Sequence, residues 1–239
     1  MMPTEHDGRG WRRSGPAAVL LGLMLAGCAA TGPADDAQLY AAAIPRAAVL
    51  APAAGPLAPL AYPVAAVTWT KRDYATWAVG KVGQASATPA GYDTWITIEP
   101  QAQDLCRGTP ADRVGMRLQQ LLGLPPAAAA ELAGKVLVRF RIDQPAATAI
   151  YRPCANPDPQ ATACTAPKAA AEWKPAFAQW FATQVEASYQ PGGYPWTRRG
   201  FTYDWAPSSA THVGPQEYVV PGGTPVTILG VEDAATYCR

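Results

Sequence analysis

The sequence predicts a single α+β domain with a mostly antiparallel sheet, two main helices, a C-terminal β-hairpin and two disulfides. Three observations carry this prediction. Lys135 to Asp143 alternates apolar and polar residues with a period of two, as a half-buried strand does. The aromatic residues of 170–189 recur at helical spacing. Pro221-Gly222-Gly223 separates two further strand-like runs, which signals a hairpin turn. The elements do not alternate as βαβ units, so a doubly wound parallel sheet is not expected.

The first element is an export signal over residues 1–27. Arg9, Arg12 and Arg13 supply its positive end. The apolar run from Ala17 to Ala26 is too short to span a bilayer, which takes about 20 residues. The run ends at Leu25-Ala26-Gly27-Cys28, which resembles the lipobox of bacterial lipoproteins. The resemblance implies cleavage before Cys28 and attachment of lipid, palmitate included, to Cys28. It also implies an outer-membrane protein facing the periplasm, because Ala29 stands where an Asp would retain the protein at the inner membrane. Residues 28–66 are rich in Ala, Pro and Gly and read as a tether, since repeated Pro interrupts helices and few bulky residues are present to bury.

The globular body is expected over residues 67–239, one domain by length. Val67–Thr70 and Tyr92–Glu99 are strand candidates, the second with Tyr92, Thr94, Ile96 and Ile98 on one face. A helix follows, with Thr109 as cap, Pro110 in its first turn, and Val114, Leu118, Leu121 and Leu122 as its apolar face. Gly123 and Pro125-Pro126 end it, and 127–133 suits another short helix. In the strand at 135–143, Val136, Val138, Phe140 and Ile142 share a face, and Leu137 is the exception on the polar side. The second main helix, over 170–189, carries Trp173, Phe177, Trp180, Phe181 and Tyr189 as a core stripe. Phe201–Trp205, Glu217–Val220 and Thr224–Val231 close the sheet, the last two as the hairpin.

Composition narrows the function. A formal charge of +1 gives no basic excess to displace counterions, so nucleic acid is not an expected partner. Losing Arg9, Arg12 and Arg13 together with Glu5 and Asp7 takes that charge from +1 to zero. Cys106, Cys154, Cys164 and Cys238 remain besides Cys28, an even number that reads as two disulfides in an oxidising compartment. Of the three possible pairings, Cys154–Cys164 across a Pro-rich loop with Cys106–Cys238 is the favoured one. No Cys-x-x-Cys spacing is present and His212 is isolated, so neither a metal centre nor a cofactor is expected.

Tyr189 to Trp205 concentrates candidate binding residues in a Gly/Pro-rich stretch: Tyr194, Trp196, Arg198, Arg199, Tyr203 and Trp205. Aromatic faces beside Arg and Asp suit a sugar ring or a partner protein. Asp204 and Glu217 flank the stretch and form the first carboxylate pair to inspect. Ser208, Ser209 and His212 lack a Gly-x-Ser-x-Gly elbow. Glu217 to Thr224 resembles the strand and turn bearing the catalytic Glu of mono-ADP-ribosyltransferase toxins over about eight residues; Pro215 and the lack of a Ser-Thr-Ser strand depart from that pattern. The leading expectation is a lipid-anchored envelope protein whose non-catalytic domain binds a protein partner or cell-wall glycan. The alternatives are an envelope hydrolase or transferase working through carboxylates near Asp204 and Glu217, and a purely structural envelope component.

Overall fold

A computed structural model describes residues 33–49, 57–143, 150–164 and 175–239. The expected export signal, Cys28, Trp173 and the start of the helix expected over 170–189 lie outside the described residues. The fold is α+β, with one antiparallel sheet of seven strands. These are β1 (Val64–Lys71), β2 (Ala85–Ala87), β3 (Thr94–Ile98), β4 (Lys135–Ile142), β5 (Phe201–Tyr203), β6 (Val213–Val220) and β7 (Pro225–Glu232), in the order β2-β7-β4-β1-β3-β6-β5.

The described residues hold six α-helices instead of two main ones. They are α1 (Pro33–Ala48), α2 (Gln101–Cys106), α3 (Val114–Leu121), α4 (Ala129–Ala133), α5 (Pro175–Ser188) and α6 (Ala234–Tyr237). None is long and apolar enough to cross a membrane. The stretch read as tether contains α1. Its Tyr40, Ala43, Ile44 and Ala47 are buried against Tyr203 and Trp205. Further along, Leu57 and Leu60 are buried too. Alanine favours a helix, and a few well-placed large residues suffice to dock one.

The expected hairpin does not form. β6 pairs with β3, and β7 pairs with β4 and β2, so three strands separate the two. Following the antiparallel pairs across the sheet makes β6 and β7 run in the same direction. In a flat sheet the end of β6 and the start of β7 would stand about 19 Å apart sideways and about 23 Å apart lengthwise. The four-residue link 221–224 reaches no more than about 18 Å. The sheet is therefore strongly coiled, and Pro221-Gly222-Gly223 is a corner between strands of different neighbourhoods.

Coiling gives the sheet two covered faces. On the inner face Val64, Ala66, Ile96, Val136, Val138, Phe140, Tyr218 and Ile228 form the main core. On the outer face Val67 and Leu137 pack against α2, α3 and α6. This explains Leu137, the exception in the β4 pattern: its face is roofed by helices and is not solvated. Val219 meets Phe177 of α5 on the same outer face, with Trp180 and Phe181 alongside. The two disulfides are Cys106–Cys238, which ties α2 to the C-terminus, and Cys154–Cys164, which closes a local loop.

Candidate functional site

The ladder between β1 and β3 is short. Only Ala66↔Ile98 and Val67↔Thr97 are paired, and the two strands then diverge. A cavity of about 410 Å³ opens at this divergence, on the outer face, between the α2/α3 cover and the α5 cover. Its size falls within the ~300–1,000 Å³ range of small-molecule sites. β1 and β3 contribute Thr68, Trp69, Thr70, Thr94, Trp95 and Thr97, α2 and the end of α3 contribute Ala102 and Leu122 to Leu124, and α5 contributes Gln184 and Ser188. The remaining wall is the loop after α5, through Tyr194, Pro195 and Trp196.

That loop is fixed at both ends. Tyr194 N–H donates to Ser188 O at 2.8 Å, and the Tyr189 hydroxyl donates to Trp196 O. Tyr40 of α1 donates to Gly193 O at 2.8 Å, so the N-terminal helix braces the loop from outside. Trp196 then stands edge-on to Trp95, Trp180 and Phe181. Trp196 is buried, while Trp95, Tyr92 and Tyr194 are substantially exposed at the rim.

Glu217 reaches the cavity from β6, in register with Thr97 of β3. It is 6% exposed, and its Oε1 accepts a hydrogen bond from Trp196 Nε1 at 3.0 Å. Among the described residues its Oε2 has no hydrogen-bond partner. Burial pushes its carboxyl up to about 8, against the opposing effect of the Trp196 bond. The acid is therefore neutral at pH 7. Two polar atoms of lining residues are buried with no partner among the described residues, Trp69 Nε1 and Thr94 Oγ1. Among the described residues the ionisable side chains on the lining, tyrosines aside, are Glu217 and Asp93, and no Lys or Arg is present. Asp93 sits at the rim, where the Tyr151 hydroxyl donates to its Oδ2 at 2.7 Å.

A raised carboxyl has a defined effect on stability. Below the unfolded value near 4.5 both states hold the proton, and its full contribution is present. As pH rises toward about 8 the unfolded chain ionises first, so stability falls. Glu217→Gln mimics the neutral acid and should flatten that part of the profile. The denaturation midpoint of the variant, relative to wild type, is expected to improve between pH 5 and pH 9; a constant difference would show that Glu217 is not buried as a neutral acid.

The structure brings Tyr194, Trp196, Tyr203 and Glu217 together around the cavity. The other candidates have different surroundings. Trp205 is buried against Tyr40 and donates from Nε1 to Leu124 O at 3.0 Å. Arg198 lies over the Tyr189 ring and donates to Ala48 O at 3.0 Å. Arg199 forms an isolated bridge with Cys154. Asp204 does not line the cavity; Arg117 holds it in a two-pronged ion pair at 2.7 and 2.8 Å. Glu217 thus has no carboxylate partner in Asp204, and the part-buried ion pair joins α3 to the residue that follows β5. His212 stacks on Tyr203, its Nδ1 lies 2.8 Å from Asp204 O, and its backbone N–H donates to Ser209 Oγ at 3.2 Å. Among the described residues no group of three His, Cys, Asp or Glu is arranged to hold a metal.

Trp69, Trp77, Trp95 and Thr94 were not singled out by sequence reasoning. Only the odd apolar position of Trp95 on an otherwise polar strand face signalled a covered surface there. Comparison with protein-family models, with curated proteins and with solved structures finds no match.

Proposed function

We propose that the protein is a lipid-anchored component of the bacterial envelope whose domain binds a small, ring-sized ligand or the end of a glycan chain without transforming it. The observation that carries this reading is the cavity between β1 and β3, with its indole walls and a single buried carboxyl. A concave site of this size takes a ligand that enters it, in preference to a flat protein surface. A hydrolase built on two carboxylates has less support, because Arg117 engages Asp204 outside the cavity.

Binding is tested by titrating detergent-solubilised full-length protein with a neutral methyl glycoside, indole and choline, and following tryptophan fluorescence. Trp196→Ala should weaken the tightest of the three by about tenfold, the scale of one lost aromatic contact in a dry site. Unchanged affinity would remove the cavity as the binding site. The anchor is tested separately with a clickable palmitate analogue in growing cells. Wild-type protein should be labelled and Cys28→Ala should not; equal labelling of the two would sink the assignment of Cys28.

A further inference from the structure

We propose that the ligand of this cavity carries an organic cation, an amine or quaternary ammonium group, which seats among the indole rings and pairs with Glu217. This rests on the reading of the domain as a binding module and specifies its ligand class. Three features of the lining point the same way. Trp77, Trp95 and Trp196, with Tyr92 and Tyr194, line the space, as does Trp69, whose ring carries the Lys135 ammonium 4.8 Å from its centroid. Ring faces attract cations, most strongly where water is excluded, and tryptophan does so best. The acidic groups on the lining are Asp93 and Glu217, and among the described residues no Lys or Arg lines the cavity. An anion would meet the Asp93 carboxylate and would have to be desolvated among rings whose faces are negative. Finally, Glu217 Oε2 makes no hydrogen bond to a described residue, which leaves it open to a group entering the cavity.

The state of Glu217 supplies a signature. The free protein holds it as a neutral acid at pH 7. A cation in the cavity favours the carboxylate, so binding drives the Glu217 proton into bulk solvent. The Trp196 N–H continues to donate to Oε1, and no covalent bond other than O–H changes. The titratable groups around Glu217 are the Tyr189 phenol, which is coupled to it electrostatically, the phenols of Tyr92, Tyr194 and Tyr203, and Asp93. The Arg198 guanidinium reaches this surroundings only through Tyr189. Burial pushes the Tyr189 and Tyr203 phenols up, away from this range, and raises the Glu217 carboxyl into it.

The test compares choline with 3,3-dimethyl-1-butanol, its uncharged isostere, on detergent-solubilised full-length protein by calorimetry. Choline should bind at least tenfold more tightly at pH 8. With a carboxyl near 8, only about one Glu217 in a hundred is ionised at pH 6, so choline affinity should rise about tenfold per pH unit from 6 and level off above 8. Near pH 7 its binding enthalpy should vary with the ionisation enthalpy of the buffer, reporting release of close to one proton. Glu217→Gln should lose the pH dependence and the proton release while keeping its weak affinity for the isostere. Equal or tighter binding of the isostere, with no proton release, would overturn the cation assignment and leave the binding module intact. Failure of both to bind overturns the assignment as well; the module then stands or falls on the glycoside and indole titrations.

Discussion

Replacing both members of the Cys106–Cys238 disulfide, as Cys106→Ala with Cys238→Ala, should destabilise the domain by about 5 kcal/mol. The bridge closes a loop with a sequence separation of 132 residues. Loop-closure entropy for about that length gives roughly 5 kcal/mol at 25 °C. Domains are stable by only about 5–15 kcal/mol, so the loss is a large share of the total. The geometry around the bridge gives the change a local readout. α6 is capped by Asp233, whose Oδ1 accepts from Thr236 N–H at 2.7 Å. Tyr237 donates from its hydroxyl to Glu99 Oε1 at 2.9 Å and accepts at its carbonyl from Gln103 Nε2 at 2.9 Å. A four-residue helix has no stability of its own, so without the covalent link these contacts must hold it alone. Urea denaturation should show the global loss, and amides 233–239 should exchange first. A loss below about 1 kcal/mol would mean that the unfolded chain is already constrained by other means.

Arg152→Ala should cost about 3–5 kcal/mol, for a different reason. Arg152 is fully buried, and among the described residues no carboxylate lies within ion-pair distance of it. Burial disfavours its charge; hydrogen bonds, the Tyr218 ring and the field of the Asp158 carboxylate offset part of the cost. Its Nη2 donates to Ala58 O and Pro159 O at 3.1 and 3.0 Å, and its Nη1 donates to Gln216 Oε1 at 3.2 Å. The guanidinium lies over the Tyr218 ring, 4.8 Å from its centre. One side chain therefore ties the 57–60 segment, the loop of the Cys154–Cys164 disulfide and β6 to one another. Truncation strands two backbone carbonyls and leaves a void, each of which is costly in a close-packed interior. Gly200 is held at φ +78° with its missing Cβ only 3.0 Å from the Arg152 side chain, so the pocket has no room to rearrange on that side. Arg198→Ala, which loses one carbonyl bond and a half-buried ring contact, is the control and should cost about 1 kcal/mol. Comparable losses for the two arginines in guanidinium denaturation would contradict the special role of Arg152.

How much of this was legible beforehand depends on whether a signal was local. β1, β3 and β4 announced themselves because alternation with a period of two is written within each segment. The helix expected from Thr109 begins instead at Val114, with Pro110 to Arg113 in turns and no side-chain cap. There the apolar face, Val114, Leu118 and Leu121, proved a better guide than the capping residues. The hairpin failed because a Pro-Gly-Gly corner says that the chain bends and not which strand it joins. Partner choice for β6 and β7 is settled by the coil of the whole sheet. α2 and the three-residue β2 were too short to leave a pattern. The site was legible in part: Tyr194, Trp196, Tyr203 and Glu217 came from one unusual stretch, while Trp69 and Trp77 reach the cavity from strands and turns far away in sequence. Asp204 looked catalytic because its partner, Arg117, is 87 residues distant.

Helix α1 gives the N-terminal stretch a thermodynamic meaning. Tyr40 is bonded to Gly193, and Ala48 to Arg198, on either side of the segment that walls the cavity. On the proposed reading of the cavity, undocking α1 should weaken ligand binding, and by reciprocity binding should tighten α1 by the same factor. A deletion designed from composition, cutting at residue 57 or 67, would sever that linkage along with Tyr40 and Ile44. It would measure the affinity of a different protein.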